Sequence, residues 1–184
     1  MKKLTYDEIA VERFSVEQLK AAERFPVTAL CENVRSAFNI GSMFRTADGA
    51  RMAKLYLTGY TPFPPNKDIE KTALGATQTV PWEYAKSTLE IINKLKKEGV
   101  TICAVEHTDS SIPHYDFSAS LFPVCFIVGN EISGITDEVI TYADCAIEIP
   151  MYGIKQSLNA ANAFSIVAFE MINIFLKEKK LPLR

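Results

Sequence analysis

The chain has 184 residues, 48% apolar and 23% charged, and 20 Lys and Arg set against 22 Asp and Glu give a formal net charge of −2. That length suits one compact core, the composition excludes a disordered or collagen-like chain, and the charge excludes the overall basic surface of a strong nucleic-acid binder. The opening residues MKKLTYDEIA hold no apolar h-region, and uninterrupted apolar runs such as Val124 to Val128 fall far short of a bilayer span, so a cytoplasmic protein is expected.

In chain order, residues Tyr6 to Arg24 read as one N-terminal helix, with Ile9, Phe14, Leu19 and Ala22 partly in phase and Pro26 ending it. Val27 to Cys31 reads as a short strand. Asn39-Ile40-Gly41 reads as a turn into a helix running to Gly49, with Asn39 near its cap. Ile40, Phe44 and Ala47 form one apolar face there, and Arg45 lies off that stripe. Lys54 to Thr58 follows as a strand, and TPFPPN (61–66) is a loop that Pro keeps out of helix or ladder. Lys71 to Ala76 suits a turn or short helix, and Thr79 to Tyr84 an extended piece. Ser87 to Glu98 is a surface helix on Leu89, Ile92 and Leu95, closed by Gly99. The rest reads as strands at Val100–Val105, Pro123–Val128 and Cys145–Ile149, a helix over Thr136–Ala143, and a last helix from Ser157 to Lys177 with Ser157 as its N-cap.

This alternation predicts an α/β fold with a mostly parallel sheet and helices on both faces. Periodicity does not give the strand order. No repeat, low-complexity stretch or linker divides the chain, so residues 1–184 are read as one domain: a short N-terminal helix at about 6–24, a core at about 27–170 and a C-terminal helix to about 177. Cys31, Cys103, Cys125 and Cys145 all sit in strand-like apolar stretches and lack CxxC spacing, which points to buried reduced thiols and, with His107 and His114 scattered, to no metal site.

Three polar turns stand at the ends of buried elements near the carboxyl end: Gly129-Asn130-Glu131 and Ile149-Pro150-Met151-Tyr152-Gly153 each close an apolar stretch, and Ser157-Leu158-Asn159 opens a small-residue helix. Open α/β sheets bind ligands beyond the carboxyl ends of their strands. Gly129 allows backbone to approach backbone or ligand, and Pro150, lacking an N–H, suits a strand end. Asn33, Asn39 and Arg45 gather more polar groups near one helix start, where Asn needs a local reason.

These pieces resemble the three motifs of the SpoU (TrmH-like) branch of the SPOUT RNA methyltransferases. Asn33, Asn39, Gly41, Arg45, Thr46 and Ala47 match the first. Gly129-Asn130-Glu131 with Gly134 match the second. Ile149-Pro150-Met151, Gly153 and Ser157-Leu158-Asn159 match the third. The likeness covers roughly residues 27–170, with the motifs in family order; Ala160-Ala161-Asn162 departs from the usual residues there. The resemblance implies a SPOUT-type fold with a C-terminal trefoil knot, bent S-adenosyl-L-methionine held by Gly129, Ile149, Met151 and Leu158, and a homodimer whose sites are completed across the interface. The last helix, apolar around much of its circumference, suits burial in core or partner.

The implied reaction is methyl transfer to a ribose 2′-hydroxyl of RNA. Alignment of the reactants contributes up to roughly 7–11 kcal/mol, whereas a positioned base contributes ~10²–10⁴-fold, so geometry matters more than any one base. The resemblance makes Arg45 catalytic, either as base or, more naturally for a guanidinium, as phosphate clamp and alkoxide stabiliser. Asn39 would orient Arg45 or the RNA backbone. Glu131 is either a cap for the helix after Gly134 or an acceptor organising Arg45 or RNA. Ser157 and Asn159 serve helix-start bonding or the substrate side of the pocket. Glu106 and His107 end a strand where a carboxylate meets cofactor ribose hydroxyls, or else form an exposed loop pair; Trp82 is read as a core residue. Local basic groups for RNA are Arg35, Arg45, Arg51 and Lys54, the N-terminal Lys2 and Lys3, and the tail Lys177, Lys179, Lys180 and Arg184. The segment TALGATQTVPWE (72–83) resembles the tRNA-modifying TrmH-type members more than the shortest family members, a likeness that implies tRNA ahead of rRNA. The alternatives are a non-catalytic RNA-binding module retaining the fold, against which intact Asn39, Arg45 and Glu131 count, and another nucleotide-binding α/β enzyme, against which the lack of GxGxxG or P-loop patterns counts.

Overall fold

The computed structural model describes residues 1–11 and 13–181; Arg184 of the basic tail lies outside them. Seven strands form one sheet: β1 (Phe25–Glu32), β2 (Met52–Thr58), β3 (Trp82–Ala85), β4 (Thr101–Val105), β5 (Ile112–Pro113), β6 (Val124–Val128) and β7 (Cys145–Glu148). Their spatial order is β3-β2-β1-β6-β4-β7-β5, and every named pairing is parallel. The central strands read as unbroken apolar runs because they are covered twice; all five residues of β6 are buried.

Two apolar layers provide that cover. One packs α3 (Ala37–Gly49), α4 (Lys67–Ala73) and α7 (Ala160–Glu178) on the sheet through Ile40, Phe44, Ile69, Phe164, Val167 and Met171. The other packs α5 (Thr88–Lys97) and the one-turn α6 (Asp137–Ile140) through Ile91, Ile92, Leu95 and Val139. Phe164 of α7 meets Phe126 of β6 edge-on, centroids 5.1 Å apart, and Trp82 likewise packs its edge against Phe44. By length and composition α7 is apolar enough to cross a membrane. Its face built from Ala161, Phe164, Val167, Ala168, Met171 and Ile172 is instead buried on the sheet. Ile166 and Phe169 remain exposed on the other face, in line with Asn162.

Several boundaries differ from the sequence expectation for reasons of capping. The N-terminal helix is two short helices, α1 (Tyr6–Ala10) and α2 (Val16–Ala21), because Thr5 with Glu8 and Ser15 with Gln18 each build a complete capping box. Pro26 does not merely end a helix; it lies inside β1, where the register with β2 shifts between Phe25 and Thr28. Ser36, not Asn39, caps α3, its hydroxyl accepting from the Asn39 amide at 3.2 Å. Asn159, not Ser157, caps α7, accepting from the Ala161 and Asn162 amides at 2.9 and 3.4 Å. The short edge strand Ile112–Pro113 was not expected; two residues carry no readable periodicity. Cys31, Cys103 and Cys125 are buried, and burial pushes the Cys125 thiol up to about 12. Cys145 is only half-buried, since β7 lies next to the edge strand.

Gly41 lies where α3 packs tightly against α4. A Cβ there would collide with the Ile69 carbonyl oxygen and the Thr72 hydroxyl. Gly41→Ala is therefore predicted to destabilise the fold by about 1–3 kcal/mol through overpacking, although Ala is the better helix former by ~1 kcal/mol. Thermal unfolding followed by circular dichroism would show a Tm lowered by several degrees; an unchanged or raised Tm would show that the two helices separate at no cost.

Candidate active site

The carboxyl ends of β6, β4 and β7 open into one cleft. A cavity of about 190 Å³ is lined by Val128, Gly129 and Glu131 after β6, by Val105, Glu106 and His107 after β4, and by Glu148, Ile149, Met151, Ser157 and Leu158 after β7. Ala160 and Ala163 of α7 form its floor. The three polar turns expected to meet do meet, and Gly129, Ile149, Met151 and Leu158 all face the same space.

The backbone of the loop after β6 is tied down by carboxylates, one buried and one half-buried. Glu32, at the end of β1 and 3% exposed, accepts from the Thr136 amide at 3.0 Å and its hydroxyl at 2.8 Å. Glu106 accepts from the Ile135 amide at 3.2 Å. Within the loop, Asn130 and Gly134 exchange both backbone hydrogen bonds at 3.0 Å. The Asn130 side chain accepts from the Ile132 and Ser133 amides and donates to the Asn33 carbonyl at 2.9 Å and the Tyr60 hydroxyl at 2.8 Å. Gly129 is needed for packing: a Cβ would strike the backbone of Gly134 and Ile135. Gly134, at φ +69°, turns the chain where a side chain would meet the Glu106 carboxylate.

Glu131 joins this loop to α3. Its carboxylate accepts from the Arg35 amide at 2.9 Å, the Ser36 amide at 3.1 Å and the Asn39 side-chain amide at 2.8 Å. It therefore caps the start of α3 rather than the helix after Gly134, a role that Glu32 takes through Thr136. Partial burial pushes its pKa up, but those donors outweigh burial and hold the carboxyl below its ordinary value, so it is ionised at neutral pH. The chain of contacts continues to α7: Asn159 donates to the Asn39 side-chain oxygen at 3.1 Å. Thus Glu131, Asn39 and Asn159, one from each motif, form a single polar relay at the cleft mouth.

Arg45 stands apart from it. It lies six residues along α3 from Asn39, about 9 Å along the axis and on a different face at about 100° per residue. It is exposed, does not line the cleft, and makes no hydrogen bond or ion pair among the described residues. The adjacent Thr46 contacts α7 through the Ser165 hydroxyl at 2.8 Å. Ser157 lines the cleft with no hydrogen bond of its own among the described residues.

Across the cleft, Glu148 accepts from Ser111 at 2.6 Å and pairs with His107 Nδ1 at 3.2 Å, which holds its carboxyl below the ordinary range. His107 Nε2 lies 3.2 Å from the Gln156 carbonyl oxygen and so fixes the loop before Ser157. Glu106 is a loop anchor, not a free carboxylate at the cleft rim. Sequence reading missed Glu32, Asn130 as a hub, and Tyr60. A charge at the end of the apolar run VTALCE was the available signal for Glu32, because a carboxylate at that depth needs a donor.

The walls suit an adenosyl ligand: aliphatic side chains of Val105, Val128, Ile149 and Leu158 flank the space, and carboxylates at its rim complement a cationic sulfur. Comparisons with known proteins agree. Residues 26–169 match the model of the SpoU rRNA Methylase family. The chain is 28% identical over 150 residues to the tRNA (guanosine(18)-2′-O)-methyltransferase of Escherichia coli K12, covering 81% of this chain and 64% of that protein. The fold superposes on the TrmH/SpoU tRNA modifying enzyme of A. aeolicus with a TM-score of 0.79 and 26% identity, covering 90% of this chain and 84% of that one. It also superposes on the AdoMet-bound rRNA methyltransferase of Sinorhizobium meliloti with a TM-score of 0.76 and 27% identity, covering 84% and 59%. The chain spans less than two thirds of the length of the curated relatives it first matches, 62% and 64%. With the family model matched over most of its length and the three motifs joined by the Glu131–Asn39–Asn159 relay, the chain belongs to the SpoU rRNA Methylase family.

Proposed function

We propose that the protein is an S-adenosyl-L-methionine-dependent RNA methyltransferase that acts on a ribose 2′-hydroxyl, with tRNA favoured over rRNA as substrate. The observation that carries this reading is the relay Glu131–Asn39–Asn159, which ties all three motifs to the rim of the cleft. The tRNA and rRNA methyltransferases it resembles support the substrate class. The tRNA preference rests on the likeness at residues 72–83 and on the tRNA enzymes among the relatives. A cytoplasmic location follows from the same reading, where such RNAs are met.

Bound S-adenosylmethionine supplies an activated methyl on a sulfonium. The chain's own residues do the rest. Gly129, Ile149, Met151 and Leu158 seat the adenosyl portion between apolar walls and backbone groups. Glu131, held ionised, fixes the α3 N-terminus, and Asn39 and Asn159 orient the substrate edge. Arg45 clamps the phosphate beside the target ribose and stabilises the developing alkoxide, and the proton leaves to phosphate or water. Ser157 contacts the substrate side.

Arg45 does not reach the cleft of its own chain, so the reading requires a homodimer in which it serves the cleft of a second copy. The exposed Ile166 and Phe169 of α7, with Tyr152 at 92% and Ile154 at 99% exposure beside the cleft, supply an apolar surface for that contact. The trefoil knot belongs to the same proposal: β7 inserts between β4 and β5, and the loops after β6 and β7 lie side by side at the cleft.

Purified protein is predicted to transfer labelled methyl from S-adenosylmethionine to bulk tRNA. Arg45→Ala should lower the rate about 10²–10³-fold while calorimetric cofactor affinity stays near wild type. Cofactor binding with no transfer to any RNA would favour the non-catalytic module instead. A mixed dimer of Arg45→Ala with Leu158→Arg holds one intact site only if Arg45 acts across the interface. Co-expressed variants should therefore recover activity that neither shows alone, and lack of recovery would place Arg45 with its own cleft. Phe169→Asp should shift sedimentation from dimer to monomer with loss of transfer; a wild-type monomer would remove the shared-site reading.

A further inference from the structure

Four exposed rings lie near the carboxyl ends of β2 and β3 and the start of α3. Tyr60 is 61% exposed, Phe63 42% and Tyr84 37%, and Phe38 stands at the start of α3 with 49% exposure. Single exposed aromatics are ordinary. Three of these, however, are fixed in one surface. The Tyr60 hydroxyl is held by Asn130 of the cleft loop at 2.8 Å, and the Tyr60 amide donates to Asn33. The Tyr84 hydroxyl donates to the Gly59 carbonyl at 2.8 Å. Phe63 stacks on Tyr84 with centroids 4.2 Å apart and planes 31° apart. The loop beneath is anchored by buried Thr61, which accepts from the Val34 amide and donates to the Cys31 carbonyl, both at 3.0 Å. The rings are rigid as well as exposed.

We propose that Tyr60, Phe63 and Tyr84 form a stacking platform for unpaired RNA bases next to the nucleotide in the cleft. The inference rests on the RNA methyltransferase reading and extends it to the form of the substrate. Continuity is the first argument: Asn130 touches both the cleft and Tyr60, and three strand spacings of ~4.8 Å bring β3 within about 14 Å of the strand that opens the cleft. Chemistry is the second. Flat rings with polar hydroxyls suit base faces, which all nucleotides present, and RNA is read mainly where bases are splayed out of a helix. Charge is the third. Lys67 follows the loop and Lys86 follows β3; both are exposed, and Lys86 makes no ion pair among the described residues, so cations flank the rings for phosphates. The exposed stretch of α7 around Asn162, Ile166 and Phe169 carries no cation.

The test uses the full chain and fluorescein-labelled unmodified tRNA in anisotropy titrations at fixed salt, with methyl transfer measured in parallel. Base stacking is worth ~1–3 kcal/mol per base, so Phe63→Ala and Tyr60→Ala should each weaken RNA binding by about 5- to 150-fold and raise KM for RNA. Tyr60→Phe, which keeps the ring, should retain most of the affinity. Cofactor affinity of Phe63→Ala should match wild type. A single-stranded RNA oligomer should compete with the labelled tRNA better than a duplex of equal length. The platform is overturned if the Ala variants bind RNA as wild type does while wild type methylates it. It is also overturned if they dissociate a wild-type dimer in sedimentation, which assigns the rings to a protein contact. If wild type neither binds nor methylates any RNA, the functional reading itself fails, a result distinct from both.

Discussion

The site depends on how a parallel sheet closes its carboxyl edge. Each central strand ends in a loop that would otherwise be free to move, and this chain fixes them with carboxylates accepting backbone amides. Glu32 holds Thr136, Glu106 holds Ile135, and Glu131 holds Arg35 and Ser36. Hydrogen bonds to charged groups are worth about 1.5–3 kcal/mol each, more than neutral ones, and a buried carboxylate losing its donors would be strongly unfavourable. The three glutamates thus act as struts that join β1, β4, β6 and α3 at one end. Gly129 and Gly134 let the strutted loop fold flat against itself.

The sheet order was beyond sequence reading, and the reason is physical. Local periodicity reports which face of an element is apolar, not which strand lies beside it. The strands β4, β6 and β7 were placed within a residue or so because their apolar runs are bounded by Gly, Pro or charge. The helix caps were misread at Asn39 and Ser157 because several capping residues occur in a row, as in Ser36-Ala-Phe-Asn39 and Ser157-Leu-Asn159, and the choice is made by the turn the preceding loop imposes. The meeting of the three turns was legible, since two close apolar strand-like stretches and the third opens the last helix. The role of Glu131 was half legible: a capping carboxylate was foreseen, but its helix lies 95 residues away in sequence, a long-range contact that no spacing encodes.

Arg45 carries the contrast between local and assembled geometry. Glu131, Asn39 and Asn159 form the relay, and Gly129, Ile149, Met151, Ser157 and Leu158 line the cleft of their own chain, while Arg45 reaches neither. Arg45 faces outward from a helix whose other face is filled by Ile40, Phe44 and Ala47 in the core. A guanidinium cannot be brought about 9 Å back along a rigid helix without unpacking that core, so rearrangement within one chain does not deliver it. Association would, at no cost to the fold, and the proposed dimer would use the surface where α7 leaves Ile166 and Phe169 exposed.

The acidic net charge fits this division of surfaces. A protein that bound RNA through phosphates alone would need many cations and would lose affinity steeply with salt. Here the cations are outnumbered by carboxylates over the whole chain, and several lysines are already paired, Lys54 and Lys94 with Glu83 and Lys96 with Asp144. Affinity has to come from contacts that do not scale with net charge. The proposed stacking rings beside the cleft and the proposed shared site between two copies would be such contacts, and both would restrict binding to RNA that presents a ribose and a splayed base at the same place. Selectivity then arises from shape at the reacting nucleotide, which is also where alignment contributes most to the rate.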